Sequence, residues 1–233
     1  MTPEIVISLP FEGRWLARNS PARRVPSHGT DLMGGRYAID FIGVDHRHRV
    51  AERRDWRTLL ATEPVERFFA YGRPVLAPAD GVVVQVHQGE IDHVARRSQL
   101  ALVPYALGQA ARLRQGVTAL AGNHLVIAMR HESAFVALAH LRAGSVRVTV
   151  GEKVTAGQRV ADCGNSGNST HPHVHVQVMD GPDASAAQGV PMAFRRFREW
   201  SRRADHFQIR ESGLPEEGAV VEPLPIIASD MGT

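Results

Sequence analysis

The chain has 233 residues, 43% hydrophobic and 22% charged, ordinary values for a globular fold with one sizeable core. No apolar run approaches the ~20 residues of a membrane-spanning helix, and the single cysteine, Cys163, excludes an intrachain disulfide and a cysteine-rich zinc site. The 27 basic and 24 acidic side chains nearly balance, and the arginine pairs are scattered without interleaved aromatics, so nucleic acid is not an expected partner.

The amino terminus, MTPEIVISLPFEGRWLAR, lacks a basic start, carries Glu4 and breaks its apolar run at Pro10. It does not read as a secretory signal, and taken literally it leaves the chain in the cytoplasm. Next comes PSHGTDLMGGRYAIDFIGVD, which offers His28 and Asp40, with Asp31 as a rival acidic group. Asp40 sits in a strand-like apolar run, where an unpaired carboxylate is costly to bury and a facing cation would remove the cost. Pairing with an arginine is the alternative. Arg49 to Tyr71 does not fit a β pattern and reads as a helical or irregular insertion.

PVLAPADGVVVQVH supplies two short β runs around Asp80-Gly81. About Ile91 to Gln115 is a second insertion, and its YALGQAARLRQ run favours helix. GNHLVIAMRHESAFVALAHL reads as a β-hairpin turning at His131-Glu132, and GSVRVTVGEKVTAGQRVADCGNSG as short strands punctuated by glycine. Alternation places His140 on the face of Val136 and Leu138. GNSGNSTHP is a rigid-loop composition that leads into HVHVQVMD, where His173, His175 and Gln177 share one strand face and Val174, Val176 and Val178 the other. Two imidazoles on one face suit a zinc site, whose catalytic form takes three protein ligands. The last twenty residues, rich in Pro, Glu and Gly, read as a loose tail.

Taken in order, these segments resemble the M23 (lysostaphin/LytM-type) zinc metallopeptidases over about Ser27 to Asp180. The resemblance implies a mainly β fold, a compact antiparallel β-sheet core of the duplicated hybrid motif type, with one or two helical or irregular insertions (about 49–71 and 91–115). It divides the chain into an N-terminal extension (1–26), a peptidase domain (27–180) and a C-terminal extension with its tail (181–233). It implies one Zn2+ per chain held by His28, Asp40 and His175, with His140 and His173 as catalytic residues. The implied reaction is hydrolysis of peptide bonds in bacterial peptidoglycan crosslinks, which lie outside the cytoplasm. His28 and Asp40 stand twelve positions apart, against four in most of the family. His171 reads as a spectator, and His46, His48, His87, His93, His124, His131 and His206 as surface or satisfied structural histidines.

Rival readings stay open at this level. A degenerate, metal-free module of the same fold would bind cell-wall material without cleaving it. The APADGVVVQV and VTVGEKVTAGQRVA segments also resemble halves of biotinyl or lipoyl carriers, but the only lysine, Lys153, lacks the flanking methionine of those domains. A phosphocarrier with paired histidines would need neither Asp40 nor a metal, so zinc content separates it. Oligomeric state is not legible.

Overall fold

A computed structural model describes residues 4–98, 116–201 and 206–225. Apolar residues with period two produce strands throughout. They are β1 (Ile5–Ile7), β2 (Trp15–Arg18), β3 (Ile39–Gly43), β4 (Pro74–Leu76), β5 (Gly81–His87), β6 (Asn123–Met129), β7 (Phe135–Leu141), β8 (Lys153–Val154), β9 (Arg159–Asp162), β10 (Val174–Met179), β11 (Met192–Trp200), β12 (Phe207–Gly213) and β13 (Val220–Pro223). Two five-residue helices, α1 (Trp56–Leu60) and α2 (Val117–Ala121), interrupt them.

Among the described residues, one large sheet runs β1-β11-β13-β2-β3-β10-β7-β6-β5-β8, with β12 also on β11, and a small sheet pairs β4 with β9. The β1–β11 pair is parallel, whereas the pairs of the central strands are antiparallel. The expectation of a mainly β fold built around antiparallel pairing is met, and β6 and β7 form the expected hairpin.

The sheet reaches past residues 27–180 in both directions. β1 and β2 bring in the N-terminal extension, and β11 to β13 the C-terminal one. The last twenty residues, expected to form a loose tail, in fact contribute to the sheet: Ala219, Val220 and Val221 are buried and β13 pairs with both β2 and β11. In the first insertion, Asp55 caps α1 through a reciprocal capping box with Thr58, and the rest is irregular apart from a 3₁₀ turn at Val65–Arg67. The run expected to be helical, 105–115, lies outside the described residues.

The core lies against one face of the central strands. Ile39 and Phe41 of β3, Val174, Val176 and Val178 of β10, Val136 and Leu138 of β7, and Leu125 and Ile127 of β6 all join it. Phe11 stacks on Trp15 at 4.6 Å and meets Phe41 edge-on at 4.9 Å, and Phe41 meets Phe194 at 5.4 Å, favourable aromatic geometries that tie β2, β3 and β11 together. The opposite face of β3, β10, β7 and β6 is left to form the floor of a groove.

Candidate functional site

Three neighbouring strands bring the polar residues to that floor. On β10 and the residue just before it, alternation turns His173, His175 and Gln177 away from the valines. On β3, Asp40 faces the same way between the core residues Ile39 and Phe41, and register sets it directly opposite His175. A cavity of about 560 Å³ opens over these strands, lined by His28, Asp40, His124, His140, His173 and His175 among others.

His140 departs from the alternation rule. By period two it belongs with Val136 and Leu138 in the core, yet it lines the groove with Ala137 and Ala139, its ring 4.6 Å from that of His173. The cause is a bulge. Asn123 pairs with Leu141 but Leu125 pairs with Leu138, so β7 carries an extra residue there, and His140 adopts φ 60°. A bulge of this kind re-aims one side chain while the strand continues, and Leu141 returns to the core.

The ligand-type atoms converge. One nitrogen or oxygen each from His28, Asp40 and His175 lie within 4.8 Å of one another. His28 Nε2 is 3.0 Å from Asp40 Oδ2, His175 Nδ1 is 2.9 Å from Asp40 Oδ1, and His173 Nε2 is 3.6 Å from the same oxygen. The chain between His28 and Asp40 folds back through the 3₁₀ turns of Leu32–Tyr37, where Met33 and Gly34 have positive φ, and this absorbs the twelve-residue separation. Asp31 is not part of the group; it is exposed and pairs with Arg36 at 2.7 Å.

Each imidazole is gripped at its other nitrogen. His140 Nδ1 donates to the carbonyl of Ser166 at 2.9 Å and His173 Nδ1 to that of His171 at 2.8 Å. Since a carbonyl only accepts, both rings carry the proton on Nδ1 when neutral and offer a bare Nε2 to the groove. Gln177 donates its amide to the Met33 carbonyl at 2.8 Å, which turns its Oε1 to His175 Nε2 at 2.9 Å and leaves His175 Nδ1 facing Asp40. Ser27 Oγ holds His28 Nδ1 at 3.0 Å. Pinning one ring nitrogen so that the other is presented as a lone pair is the arrangement that metal-ligating histidines require.

Charge balance follows from burial and contact. Burial alone would push the Asp40 carboxyl up, but His28, His173 and His175 around it hold it well below the ordinary carboxylate range. Burial lowers His140 strongly and His173 less, the Asp40 charge opposing it in both, so both rings are neutral near pH 7. For His175, burial also pulls down, but its bond to Asp40 outweighs it and the net shift is upward. The donor set of two imidazoles and one carboxylate, without sulfur, fits Zn2+ with a position left for a further ligand.

Some functional features were not legible as such. Asn19, just after β2 with φ 52°, donates to Asp40 Oδ2 at 2.7 Å; only its place in the three-dimensional fold reveals it. Asp92 and His93 clamp the loop between β9 and β10. Asp92 accepts from Asn165 N (2.6 Å), Ala143 N (3.0 Å) and Tyr71 Oη (3.2 Å), and His93 Nε2 donates to the Gly167 carbonyl at 2.7 Å. His93 is thus a structural histidine, as expected. Among the described residues, His124 is satisfied at one ring nitrogen only. It is 3% exposed, its Nδ1 donates to the Gly122 carbonyl at 2.7 Å, and its Nε2 has no partner among the described residues, an omission that costs about 1–3 kcal/mol.

Comparison with known proteins decides the family. The model of peptidase family M23 matches residues 65–187, more than half of the chain. The chain belongs to peptidase family M23. That matched span contains His140, His173 and His175; His28 and Asp40 lie upstream of it, and the fold joins them to it through β3. No curated protein matches the chain. Among solved structures, the catalytic domain of lysostaphin from Staphylococcus simulans aligns at 19% identity and TM-score 0.39, over 76% of this chain and 88% of that one. The catalytic domain of a prophage-encoded M23 protein, EnpA, from Enterococcus faecalis, solved as a point mutant, aligns at 23% identity and TM-score 0.34, over 61% and 94%. A zinc-containing peptidase from Vibrio cholerae aligns at 21% identity and TM-score 0.32, over 65% and 48%.

Proposed function

We propose that this M23 peptidase is a zinc-dependent metalloendopeptidase that hydrolyses peptide bonds in bacterial peptidoglycan crosslinks. The observation that carries the reading is the convergence of His28 Nε2, Asp40 and His175 Nδ1 within 4.8 Å, with each ring's remaining nitrogen already held. These three residues would hold the ion. Bound there, zinc would act as a Lewis acid on the scissile carbonyl and make water nucleophilic near neutral pH.

The protein's own residues have separate tasks. His140 and His173 present bare Nε2 atoms on the side of the groove away from Gln177, each fixed by a backbone carbonyl. Neutral at pH 7, one of them takes the proton from the attacking water at its bare Nε2 and, protonated there, returns it to the leaving amine, while the other accepts a hydrogen bond from the water and orients it for attack. Asn19 orients Asp40. The apolar floor of Val126, Ala137 and Ala139 excludes water along the groove, which strengthens every polar contact made within it.

Elemental mass spectrometry on untagged protein purified without chelator, before and after incubation with zinc, is expected to give close to one zinc per chain once zinc is supplied. His175→Ala should lose both zinc and peptidoglycan hydrolysis. His173→Ala should keep most of its zinc and lose roughly 10²- to 10⁴-fold in kcat. A chain that takes up no zinc under either condition would be a metal-free binding module, and a wild-type rate in His173→Ala would overturn its catalytic role.

A further inference from the structure

Asp40 has an arginine within reach. On β2, Ala17 joins the core with Phe41 of β3, so alternation sends Arg18 to the groove face with Asp40, and register sets the two directly opposite. Residues so opposed stand about 4.5–5.5 Å apart at Cβ, and opposite charges there attract each other. Yet among the described residues no arginine pairs with Asp40; its close partners are His28, His173 and His175. The neutral amide of Asn19, the next residue along the chain, meets its Oδ2 at 2.7 Å instead.

Glu217 accounts for the difference. Its Oε1 lies 3.2 Å from Arg18 Nε and 4.0 Å from Arg23 Nη1, while its Oε2 accepts from Ser20 N at 2.9 Å. The Glu217 side chain is 14% exposed against 47% for Arg18, so the carboxylate is the fixed member of the pair and the guanidinium the movable one. The turn that carries Glu217 is bound to β2 and the residues after it. Gly218 N donates to the Ala17 carbonyl at 2.9 Å, Ala17 N to that of Ala219 at 2.8 Å, and Ser20 Oγ to that of Pro215. Gly218, with φ 81°, permits the chain to turn there. Glu217 lies between β12 and β13 in the C-terminal extension, outside the span matched by the family model.

We propose that Glu217 is a positioning residue that draws Arg18 away from Asp40 and so keeps that carboxylate open to a metal cation. The proposal rests on the zinc reading above and deepens it. An arginine on Asp40 would occupy oxygen lone pairs that the ion needs and set a positive charge beside it, a repulsion that is strong where burial limits screening. Arg18 cannot shed its proton to relieve that conflict, so a competing anion is what holds it off. The C-terminal extension thus shapes the metal site without supplying a ligand to it.

The test measures the zinc affinity of the full chain by competition with a chromogenic chelator. Glu217→Gln, which keeps the shape of the side chain and its contact with Ser20 but not the charge, is expected to weaken affinity roughly 10- to 100-fold. Arg18→Met alone should leave affinity unchanged. Combined with Glu217→Gln it should restore most of the loss, because the arginine that causes the damage is gone. Unchanged affinity in Glu217→Gln overturns the proposal. So does equal weakness in the single and double variants, which would make Glu217 a purely structural residue; either result leaves the zinc reading intact. A second arm does not depend on zinc. A crystal structure of metal-free Glu217→Gln should show the Arg18 guanidinium hydrogen-bonded to Asp40, and an Arg18 that stays away from Asp40 overturns the proposal. If wild type binds no zinc, the zinc reading fails and this crystal structure alone decides whether Glu217 holds Arg18 off. Should Glu217→Gln fail to fold, Glu217→Asp, whose carboxylate is withdrawn by one methylene, enters the same cycle with the same expected pattern.

Discussion

Gln177 illustrates how one side chain sets the chemistry of another. It is 7% exposed, fixed by the Met33 carbonyl, and it makes His175 present Nδ1 to Asp40. Gln177→Leu should leave the proposed ligands in place but free the ring, and zinc affinity, read by competition with a chromogenic chelator, should fall about 10- to 100-fold. Unaltered affinity would mean that strand geometry alone orients His175. The buried histidines also set an acid limb. His124 and His140 are both lowered from 6.5, chiefly by burial, so the unfolded chain binds protons below about pH 6.5 that the folded chain refuses. Stability of the zinc-free protein should therefore fall as pH drops through that range, by up to about 1.4 kcal/mol per pH unit for each ring. Urea unfolding at pH 7 and pH 5 checks this. His124→Gln should flatten the limb, and an identical slope in the variant would exclude His124 as a source.

At the scale of elements, the loop that carries the Ser166 carbonyl and delivers His173 is held from outside. Asp92 and His93 grip it, and the segment bearing them is itself fastened to the first insertion. There the Arg97 guanidinium meets the fully buried Glu63 carboxylate at 2.6 and 2.7 Å, and Glu63 and Ala95 exchange two backbone hydrogen bonds of 2.8 Å. Burial opposes ionisation of Glu63, but Arg97, Thr58 and Arg67 outweigh it and hold its carboxyl low. Glu63→Ala would strand a largely buried arginine, at a cost of about 3–5 kcal/mol. Hydrogen exchange should show the loss concentrated in residues 55–98 rather than in β10 or β3; uniform loss would mean that the insertion and the sheet unfold as one unit. The insertion that looked like an interruption of the β pattern thus acts as a brace for the groove.

Across the whole molecule, the proposed ligands come from places far apart in sequence, the segment before β3, β3 itself and the strand β10, so only the folded chain assembles them. A metal bound by the native state alone stabilises it by mass action, about 4 kcal/mol at a thousandfold excess over Kd. Saturating zinc should raise the thermal midpoint, a chelator should lower it again, and His175→Ala should abolish the difference. An equal shift in that variant would place the zinc elsewhere.

The reach of the sequence differs between these features for identifiable reasons. Period-two patterning in HVHVQV was sufficient to separate the His173, His175 and Gln177 face from the valine face, because alternation on an unbroken strand is a local property. The same logic failed at His140, where one inserted residue and a positive φ moved the ring from the core side to the groove. The spacing of His28 and Asp40 was visible but its consequence was not, since the path of the intervening chain depends on turns at Met33 and Gly34. Sequence by itself determined the strand-rich class, the absence of disulfide chemistry within the chain and the residue types available to a metal, all of which follow from composition and short-range period. Tertiary structure alone decided which histidines share a groove, which ring nitrogen each presents, and that His124 Nε2 meets no donor among the described residues, because those depend on strand order, register and the packing of distant loops.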